Sequence, residues 1–221
     1  MNLTRMAAAG LLAIMAGCAA PEKPEYVREG VQYGVTEGVF RGRWWSYYER
    51  GNSFLAGGFH EEAASDFQAA LQGRDRDSWR ARTYGLHFTT YFPNRELGIA
   101  YFHLGRLDEA RTYLERSLAQ VDTECARHYL DQITREQINR GIIVDEAPPR
   151  LEGSVAAGTL LADRLVPLEI VTGDDVGVAR VTVDGRPMYQ RGSADSLVFT
   201  DEMLVAEGVH EVELAAVDLA D

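Results

Sequence analysis

The spacing of apolar residues changes once along the chain, from a helical period to a period of two. Between about residues 43 and 140, apolar residues recur every three or four positions, which is typical of amphipathic helices. From about residue 166 onward, apolar and polar residues alternate, which is typical of half-buried strands. The acidic, proline-containing stretch 145–149 separates the two regions. The pattern therefore predicts a helical domain at 31–143 and a small β domain at 148–221.

An internal repeat lies within the helical region. Six positions match at a constant offset of 47 residues, namely Gly51 and Gly98, Phe54 and Tyr101, Gly58 and Gly105, Ala63 and Ala110, Phe67 and Leu114, and Leu71 and Leu118. Small residues let two antiparallel helices approach closely, and large apolar residues fill the space between them. This pattern resembles the tetratricopeptide repeat, whose usual period is about 34 residues. The resemblance implies a solenoid of stacked helix pairs.

In that family the first helix of each repeat lines a concave groove. The resemblance therefore implies a ligand-binding groove formed by Trp45, Tyr48, Asn52, Leu55, Arg95, Ile99, Phe102 and His103. Aromatic and arginine side chains are common anchors for protein ligands. Arg95 also offers a fork that fits a carboxylate, such as a chain terminus. The alternative is that these side chains pack against the preceding segment 31–40 or against an extra helix.

The offset of 47 residues is longer than the usual period, and the extra residues lie between the two copies, in 73–93. This segment predicts a short helix at about 77–83, followed by an aromatic loop at 84–92. We interpret the loop either as a platform for a carbohydrate or peptide or as a seal between the two repeats. Apolar spacing predicts a further helix at 123–140, which would cap the solenoid and end at Gly141.

Turn residues divide the alternating region at 173–175, 184–185 and 207–208. Asp184-Gly185 is a strong hairpin signal, because both residue types tolerate the positive backbone angles of a tight turn. The stretch 174–178 and the closing residues 216–221 resemble bacterial immunoglobulin-like modules. The resemblance implies a small immunoglobulin-like β-sandwich. Such modules continue into one more strand, so we expect the sandwich to be incomplete or the sequence to be a fragment.

The amino-terminal segment has the pattern of a secretion signal. A single arginine precedes an apolar run, 6–17, which is too short to span a bilayer and ends in small residues directly before Cys18. This ending resembles the bacterial lipobox, which implies a signal peptide at 1–17, lipidation of Cys18 and a tether at 18–30. The residue after the cysteine is Ala19. An aspartate at this position would favour retention in the inner membrane, so alanine favours the outer membrane of a Gram-negative cell. The alternative is an ordinary cleaved signal peptide with an incidental cysteine.

The net charge of −12 and the single lysine argue against a nucleic-acid partner, which requires a cluster of basic residues. No catalytic motif is present in the sequence, and the five histidines show no metal-ligand spacing. Cys125 and His128 lie one helical turn apart, and we interpret them as packing residues rather than as a nucleophile and its base. Asp174, Asp175 and Asp218 are candidates for a Ca²⁺ site, but their positions favour solvated turn aspartates. We therefore predict no cofactor, no metal and no catalytic residue.

These features together predict a multidomain fold, α then β: a tetratricopeptide-type helical solenoid plus a small immunoglobulin-like β-sandwich. The predicted function is a lipid-anchored scaffold or adaptor on the periplasmic face of the outer membrane, which binds a protein or peptide through its helical-repeat groove. The alternative is an accessory lipoprotein that binds glycan or peptidoglycan. An enzyme is disfavoured, because no set of catalytic groups is recognisable.

Overall fold

The computed structural model describes residues 26–155, 165–204 and 211–220 of the chain, and these residues form five helices and nine strands. The helices are α1 (Trp44–Ala56), α2 (His60–Gly73), α3 (Pro93–His103), α4 (Leu107–Gln120) and α5 (Glu124–Asn139). The strands are β1 (Val27–Arg28), β2 (Val31–Gln32), β3 (Ser78–Arg82), β4 (Phe88–Tyr91), β5 (Arg150–Val155), β6 (Leu165–Val183), β7 (Arg186–Pro187), β8 (Ala194–Leu204) and β9 (Leu214–Asp218). None of the described helices is both long enough and apolar enough to cross a membrane.

Two helix pairs, α1 with α2 and α3 with α4, build the first hydrophobic core. A Cβ atom placed on Gly51 would lie 2.8 Å from a ring carbon of Phe67, and one placed on Gly98 would lie 2.7 Å from Leu114 Cγ. Real side chains do not tolerate such distances, so each pair reaches this separation only with glycine at that position. The matched positions of the sequence repeat therefore mark the closest approach within each helix pair.

Local signals explain where the helices begin. The side chain of Thr123 accepts a hydrogen bond from the backbone N of Ala126 and so caps α5, which corresponds to the helix predicted at 123–140. Pro93 occupies the first position of α3, where its missing N–H is not needed. Gly58 and Gly105 precede α2 and α4 with φ values of 71° and 74°, which let the chain reverse.

A β-hairpin stands where the sequence predicted a short helix and an aromatic loop. Strands β3 and β4 pair antiparallel, with Ala81 opposite Thr89. Asp77, at the start of the predicted helix, accepts hydrogen bonds at its Oδ1 from the backbone N and side-chain Nδ2 of Asn94, at 3.0 and 2.8 Å. The helix prediction for 77–83 is therefore wrong, because residues 78–82 pair with β4 as a strand and Asn94 holds the residue before it.

Strand β6 is the centre of a five-stranded sheet and pairs with each of the other four strands. Its first half pairs with β5 and β8, and its second half with β7 and β9. The register shifts after Gly173, where the carboxylate of Asp174 accepts hydrogen bonds from the backbone N of Val176 and of Gly177, both at 2.9 Å. The turn predicted at 173–175 is therefore a bulge inside a continuing strand.

The two halves of this sheet enclose the second hydrophobic core. Ile170 from the first half and Val181 from the second half are both fully buried in it. Strand β5 also lies directly against β9. This is shown at Gly153, where an added Cβ atom would lie 2.5 Å from Leu214 Cδ1. The alternating apolar residues of both halves of the sheet therefore pack into one core.

The tight turn predicted at Asp184-Gly185 is confirmed. Asp184 and Gly185 have φ values of 50° and 72°, and they connect β6 to β7. The backbone N of Asp184 donates to the carbonyl oxygen of Glu213 at 2.8 Å, and the N of Glu213 donates to Asp184 Oδ1 at 3.0 Å. The turn therefore also holds the segment that enters β9. The turn predicted at 207–208 lies outside the described residues.

The predicted fold class, a helical solenoid followed by an immunoglobulin-like sandwich, is wrong. The described strands precede the helices, interrupt them and follow them, which makes a mixed α/β fold. The hairpin β3–β4 separates the two helix pairs in sequence, and the strands of the β region share β6 instead of forming two separate sheets. The hairpin depends on contacts distant in sequence, whereas in β6 the carboxylate of Asp174 binds backbone N–H groups two and three residues further on and the strand continues past the bulge.

Polar groups of α5 join the helical region to the β region. The Oγ of Ser193 donates to Asp131 Oδ1 at 2.6 Å, and the backbone N of Ser193 donates to Asp131 Oδ2 at 3.1 Å. Nearby, Arg135 Nη1 donates to the carbonyl oxygen of Leu219 at 2.8 Å. The domain boundary predicted at 145–149 stays a prediction, and these hydrogen bonds are what would hold the two parts together across it.

Candidate functional site

The eight residues predicted to line a groove do not share one surface. Trp45, Tyr48 and Asn52 of α1 line a cleft beside the hairpin. The other five lie elsewhere: Leu55 and Ile99 pack in the first core, Phe102 and His103 lie against Tyr129 of α5, and Arg95 pairs with Glu96. The wall that faces α1 in the cleft is the hairpin, which the sequence did not predict.

The cleft lies between α1, the hairpin and the segment 37–43. Its volume is about 480 Å³, and its lining residues are Glu37, Trp45, Tyr48, Glu49, Asn52, Thr83, Thr89 and Thr90. An adjoining hollow of about 690 Å³ shares Glu37, Trp45 and Glu49 with it. Both volumes fall in the range of about 300–1,000 Å³ that is typical of ligand sites. The glutamates and threonines are not among the predicted residues, and adjacent β-branched threonines were the available signal for a strand.

Two buried tyrosines hold the hairpin against the helices. The hydroxyl oxygen of Tyr48 accepts a hydrogen bond from the backbone N of Phe92 at 3.2 Å. The hydroxyl of Tyr91 lies 2.7 Å from the carbonyl oxygen of Arg74 and 3.0 Å from that of Ala70, at the end of α2. Burial raises the pKa of Tyr48 to about 12, so this hydroxyl keeps its proton at physiological pH. The position of β4 relative to α1 is thus set by buried hydrogen bonds.

Strand β4 borders the cleft and has a free edge. Thr89 and Thr90 of β4 line the cleft, together with Thr83, which follows β3. The backbone N of Thr83 donates to the carbonyl oxygen of His87 at 2.9 Å, which marks a hydrogen-bonded pair. The alternation of the antiparallel register then directs the backbone groups of Phe88 and Thr90 away from β3. No described element outside the hairpin accepts a hydrogen bond from their N–H groups.

Trp45 and Tyr84 form an aromatic wall in the adjoining hollow. Their ring centroids lie 6.3 Å apart, and both side chains line this hollow. The ring of Tyr84 also stacks on His87, with centroids 4.5 Å apart. By contrast, Tyr91 and Phe92 are fully buried. The predicted aromatic segment therefore divides into a part that seals the helical core and an exposed part that borders the cleft.

Arg95 is engaged with its neighbour Glu96. Its Nη2 and Nε atoms donate to Glu96 Oε1 at 2.6 and 3.0 Å, and its guanidinium lies over the ring of Phe92, 4.3 Å from the centroid. Burial raises the pKa of Glu96, while Arg95 acts in the opposite direction. A ligand carboxylate would have to displace Glu96, so we do not assign Arg95 to ligand binding.

Cys125, which we expected to pack, is exposed on α5.

His60 and His103 stack on each other between α2 and α3. Their ring centroids lie 4.6 Å apart and their planes differ by 13°. Burial, followed by the proximity of His103 and Arg28, lowers the pKa of His60, so its ring is neutral at neutral pH. Imidazole lone pairs lie in the plane of the ring, and two parallel rings therefore do not converge on one metal ion. We interpret the pair as packing between the two helix pairs.

Three carboxylates converge where the linker meets the sheet. Oxygen atoms of Asp145, Asp174 and Asp218 lie within 4.8 Å of one another, whereas Asp175, which was expected there, is not in the group. Partial burial and the charges of Asp218 and Asp174 raise the pKa of Asp145. Asp174 already accepts two backbone hydrogen bonds, and Asp218 Oδ1 accepts one from the N of Ala220 at 2.8 Å. Ca²⁺ requires about six to eight oxygen ligands, so we assign these groups to turn stabilisation.

Comparison with known proteins gives no family for this chain. No protein-family model matches it, and a search of curated proteins finds no match. The resemblances to lipoproteins, to tetratricopeptide repeats and to immunoglobulin-like modules therefore have no support beyond the motifs that suggested them. Function has to be inferred from the geometry of the chain itself.

Proposed function

We propose that this protein is a non-enzymatic adaptor that holds an extended segment of a partner protein in the cleft between α1 and β4. The observation that carries the proposal is the free edge of β4, a strand that borders a cleft of about 480 Å³. An exposed strand edge presents unpaired N–H and C=O groups in a row, and an extended peptide can satisfy them by adding a strand. Phe88 and the N–H group of Thr90 would supply these groups, and the carbonyl oxygen of Thr90, which accepts a hydrogen bond from Thr89 Oγ1 at 3.2 Å, has one lone pair left for the peptide.

The walls of the cleft add recognition of side chains. Alternate side chains of an added strand point to the two faces of the hairpin, and those on one face would meet Trp45 and Tyr84. Aromatic rings of this kind bury large apolar area with little loss of side-chain freedom. Glu37 and Glu49 line both hollows, and the N of Glu37 donates to Glu49 Oε1 at 2.6 Å. Arg41 and Arg43 balance these glutamates in the adjoining hollow, whereas the lining of the cleft itself contains the two glutamates and no basic residue, so the cleft favours basic over acidic peptide side chains.

The edge of β4 provides a direct test through two substitutions at one position. Thr90→Pro removes the outward N–H group and places a ring at the edge, whereas Thr90→Ala leaves the backbone intact. We expect Thr90→Pro to raise the Kd of selected peptides at least about tenfold, which corresponds to about one lost hydrogen bond, and Thr90→Ala to change it little. The probe is a displayed library of random linear peptides, selected on the purified full-length protein, with Kd measured by fluorescence anisotropy.

The same pair of variants separates the peptide proposal from glycan binding. A glycan held on the exposed ring of Tyr84 does not use the edge of β4, so Thr90→Pro would leave its affinity unchanged while Tyr84→Ala would abolish it. Equal weakening of peptide binding by Thr90→Pro and Thr90→Ala would show that the threonine side chain, and not the strand edge, makes the contact. Circular dichroism of both variants checks that the fold is retained.

We further propose that the adaptor acts at the cell envelope, held by the lipid predicted on Cys18. This residue lies outside the described residues, and the support is the lipobox-like sequence that precedes it. We expect Cys18→Ala to release the protein from membranes or to leave the precursor uncleaved, because thioether lipidation requires the thiol. Mass spectrometry of the protein from membranes should show acyl chains on an amino-terminal Cys18. An unmodified amino terminus beyond Cys18 would exclude the anchor.

A further inference from the structure

The hairpin carries a second exposed surface, which meets the peptide site at Tyr84 and Phe88 and extends from there over the turn. We call it the hairpin surface and define it as Arg80, Arg82, Tyr84, Leu86 and Phe88. Leu86 at the turn is 84% exposed, Tyr84 is 60% exposed and Phe88 is 43% exposed. Large apolar side chains are rarely left this open at three neighbouring positions of a projecting turn, and such groups mark interaction sites.

The charge of the hairpin surface is opposite to that of the chain. Residues 78–91 contain two arginines and no acidic residue, in a chain whose net charge is −12. The guanidinium of Arg80 lies over the ring of Phe88, 4.3 Å from its centroid, and Arg82 Nε donates to the carbonyl oxygen of Gly85 at 2.5 Å. Within the described part of the chain, neither arginine makes an ion pair. Both cations are therefore available to an external anion.

We propose that the hairpin surface binds the anionic surface of a lipid membrane. Leu86 would enter the boundary between headgroups and acyl chains, Tyr84 and Phe88 would lie at the level of the headgroups, and the two arginines would bind lipid phosphates. Aromatic residues concentrate at this boundary because one side is apolar and the other is wet. Basic side chains close to an anionic leaflet add about 1 kcal/mol each.

The shape of the hairpin favours a membrane over an acidic protein as its partner. Protein hot spots are anchors that fill well-packed, desolvated pockets, and they are surrounded by a broad rim that excludes water. A narrow two-stranded hairpin has no such rim, but its turn can enter a soft lipid interface without a preformed pocket. The proposal is independent of peptide binding. Because Tyr84 borders the cleft, membrane contact would place the cleft next to the lipid surface.

A fluorophore at the tip of the hairpin tests the proposal in the full-length chain. Leu86→Cys is introduced into a Cys18→Ser, Cys125→Ser background and labelled with nitrobenzoxadiazole, whose emission shifts to the blue in an apolar environment. We expect a blue shift with vesicles of phosphatidylglycerol and phosphatidylcholine, and none with phosphatidylcholine alone. The control label at Val198→Cys, on exposed β8, should not shift with either vesicle, even if the apolar segment 6–17 tethers the chain.

The arginines are tested by a matched pair of double variants in the labelled protein. Arg80→Gln with Arg82→Gln should lower partition into anionic vesicles at least about tenfold, because two phosphate contacts are lost. Arg180→Gln with Arg186→Gln makes the same change in net charge at exposed positions of the β region and should have little effect. An unshifted label at position 86 on vesicle-bound protein would overturn the proposal, as would an equal shift with phosphatidylcholine alone. A shift with polyglutamate but not with vesicles would identify an acidic protein as the partner and would also overturn it.

Discussion

Replacing Phe67 by alanine is expected to lower the free energy of unfolding of the helical region by about 3–5 kcal/mol. The ring is fully buried between α1 and α2, against the glycine at position 51 and 5.9 Å from the ring centroid of Tyr48. Removing the ring loses the favourable free energy of transferring a large apolar surface from water into the core. It also leaves a cavity that the tightly packed helices cannot close. Urea denaturation followed by circular dichroism at helical wavelengths measures the loss.

The matched control for this change is Phe88→Ala, which truncates the same side chain on the exposed face of the hairpin. We expect it to change stability by less than about 1 kcal/mol, because little surface is buried there. Equal effects of the two truncations would mean that Phe67 is not part of a packed helix pair. The repeat positions would then have no structural role.

Replacing Gly98 by alanine is expected to destabilise the protein by about 1–3 kcal/mol. Alanine inside a helix normally stabilises it by about 1 kcal/mol relative to glycine, so the expected change has the opposite sign to helix propensity. The reason is steric: the added Cβ atom would lie 2.7 Å from Leu114 Cγ and 3.1 Å from the carbonyl oxygen of Ala110. Thermal and urea unfolding of the variant measure the effect. Gly38→Ala is the control, because a Cβ atom there meets no atom within 4 Å.

A double variant shows whether the effect of Gly98→Ala comes from this contact. Leu114→Ala removes the side chain that the new methyl group would strike, so Gly98→Ala should cost less in that background. We expect a coupling free energy of about 0.5–3 kcal/mol between the two positions. Strict additivity would show that the helices separate freely at this point, which would contradict the close approach seen in the structure.

Binding of a peptide and binding of a membrane make separate demands on the same hairpin. The first uses the backbone edge of β4, and the second uses the outward side chains Arg80, Arg82 and Leu86. Thr90→Pro should therefore leave the fluorescence shift of a label at position 86 unchanged, and neutralising the two arginines should leave peptide affinity unchanged. An adaptor with both properties would present its bound peptide at the membrane surface.

The sequence by itself determined the features whose causes are local. The helix pairs follow from small residues at Gly51 and Gly98 opposite the large Phe67 and Leu114, because that spacing lies within one pair of neighbouring helices. The turn at Asp184-Gly185 follows from two residues that tolerate positive φ. In each case the residues that interact are adjacent in the chain or lie in two consecutive helices. The spacing of residues along the sequence is therefore sufficient to predict the contact.

Only the tertiary structure decided the hairpin, the continuous strand β6 and the cleft. Asp77 is held by Asn94, and Tyr91 by carbonyl groups at the end of α2, so the segment between them pairs as strands instead of forming a helix. Of the residues predicted to line a groove, Trp45, Tyr48 and Asn52 lie at the cleft, and the prediction did not include Thr89 and Thr90 on the opposite wall. For the hairpin and the cleft the physical reason is the same: their hydrogen-bond partners are distant in sequence and close in space, which a local pattern of residues does not contain.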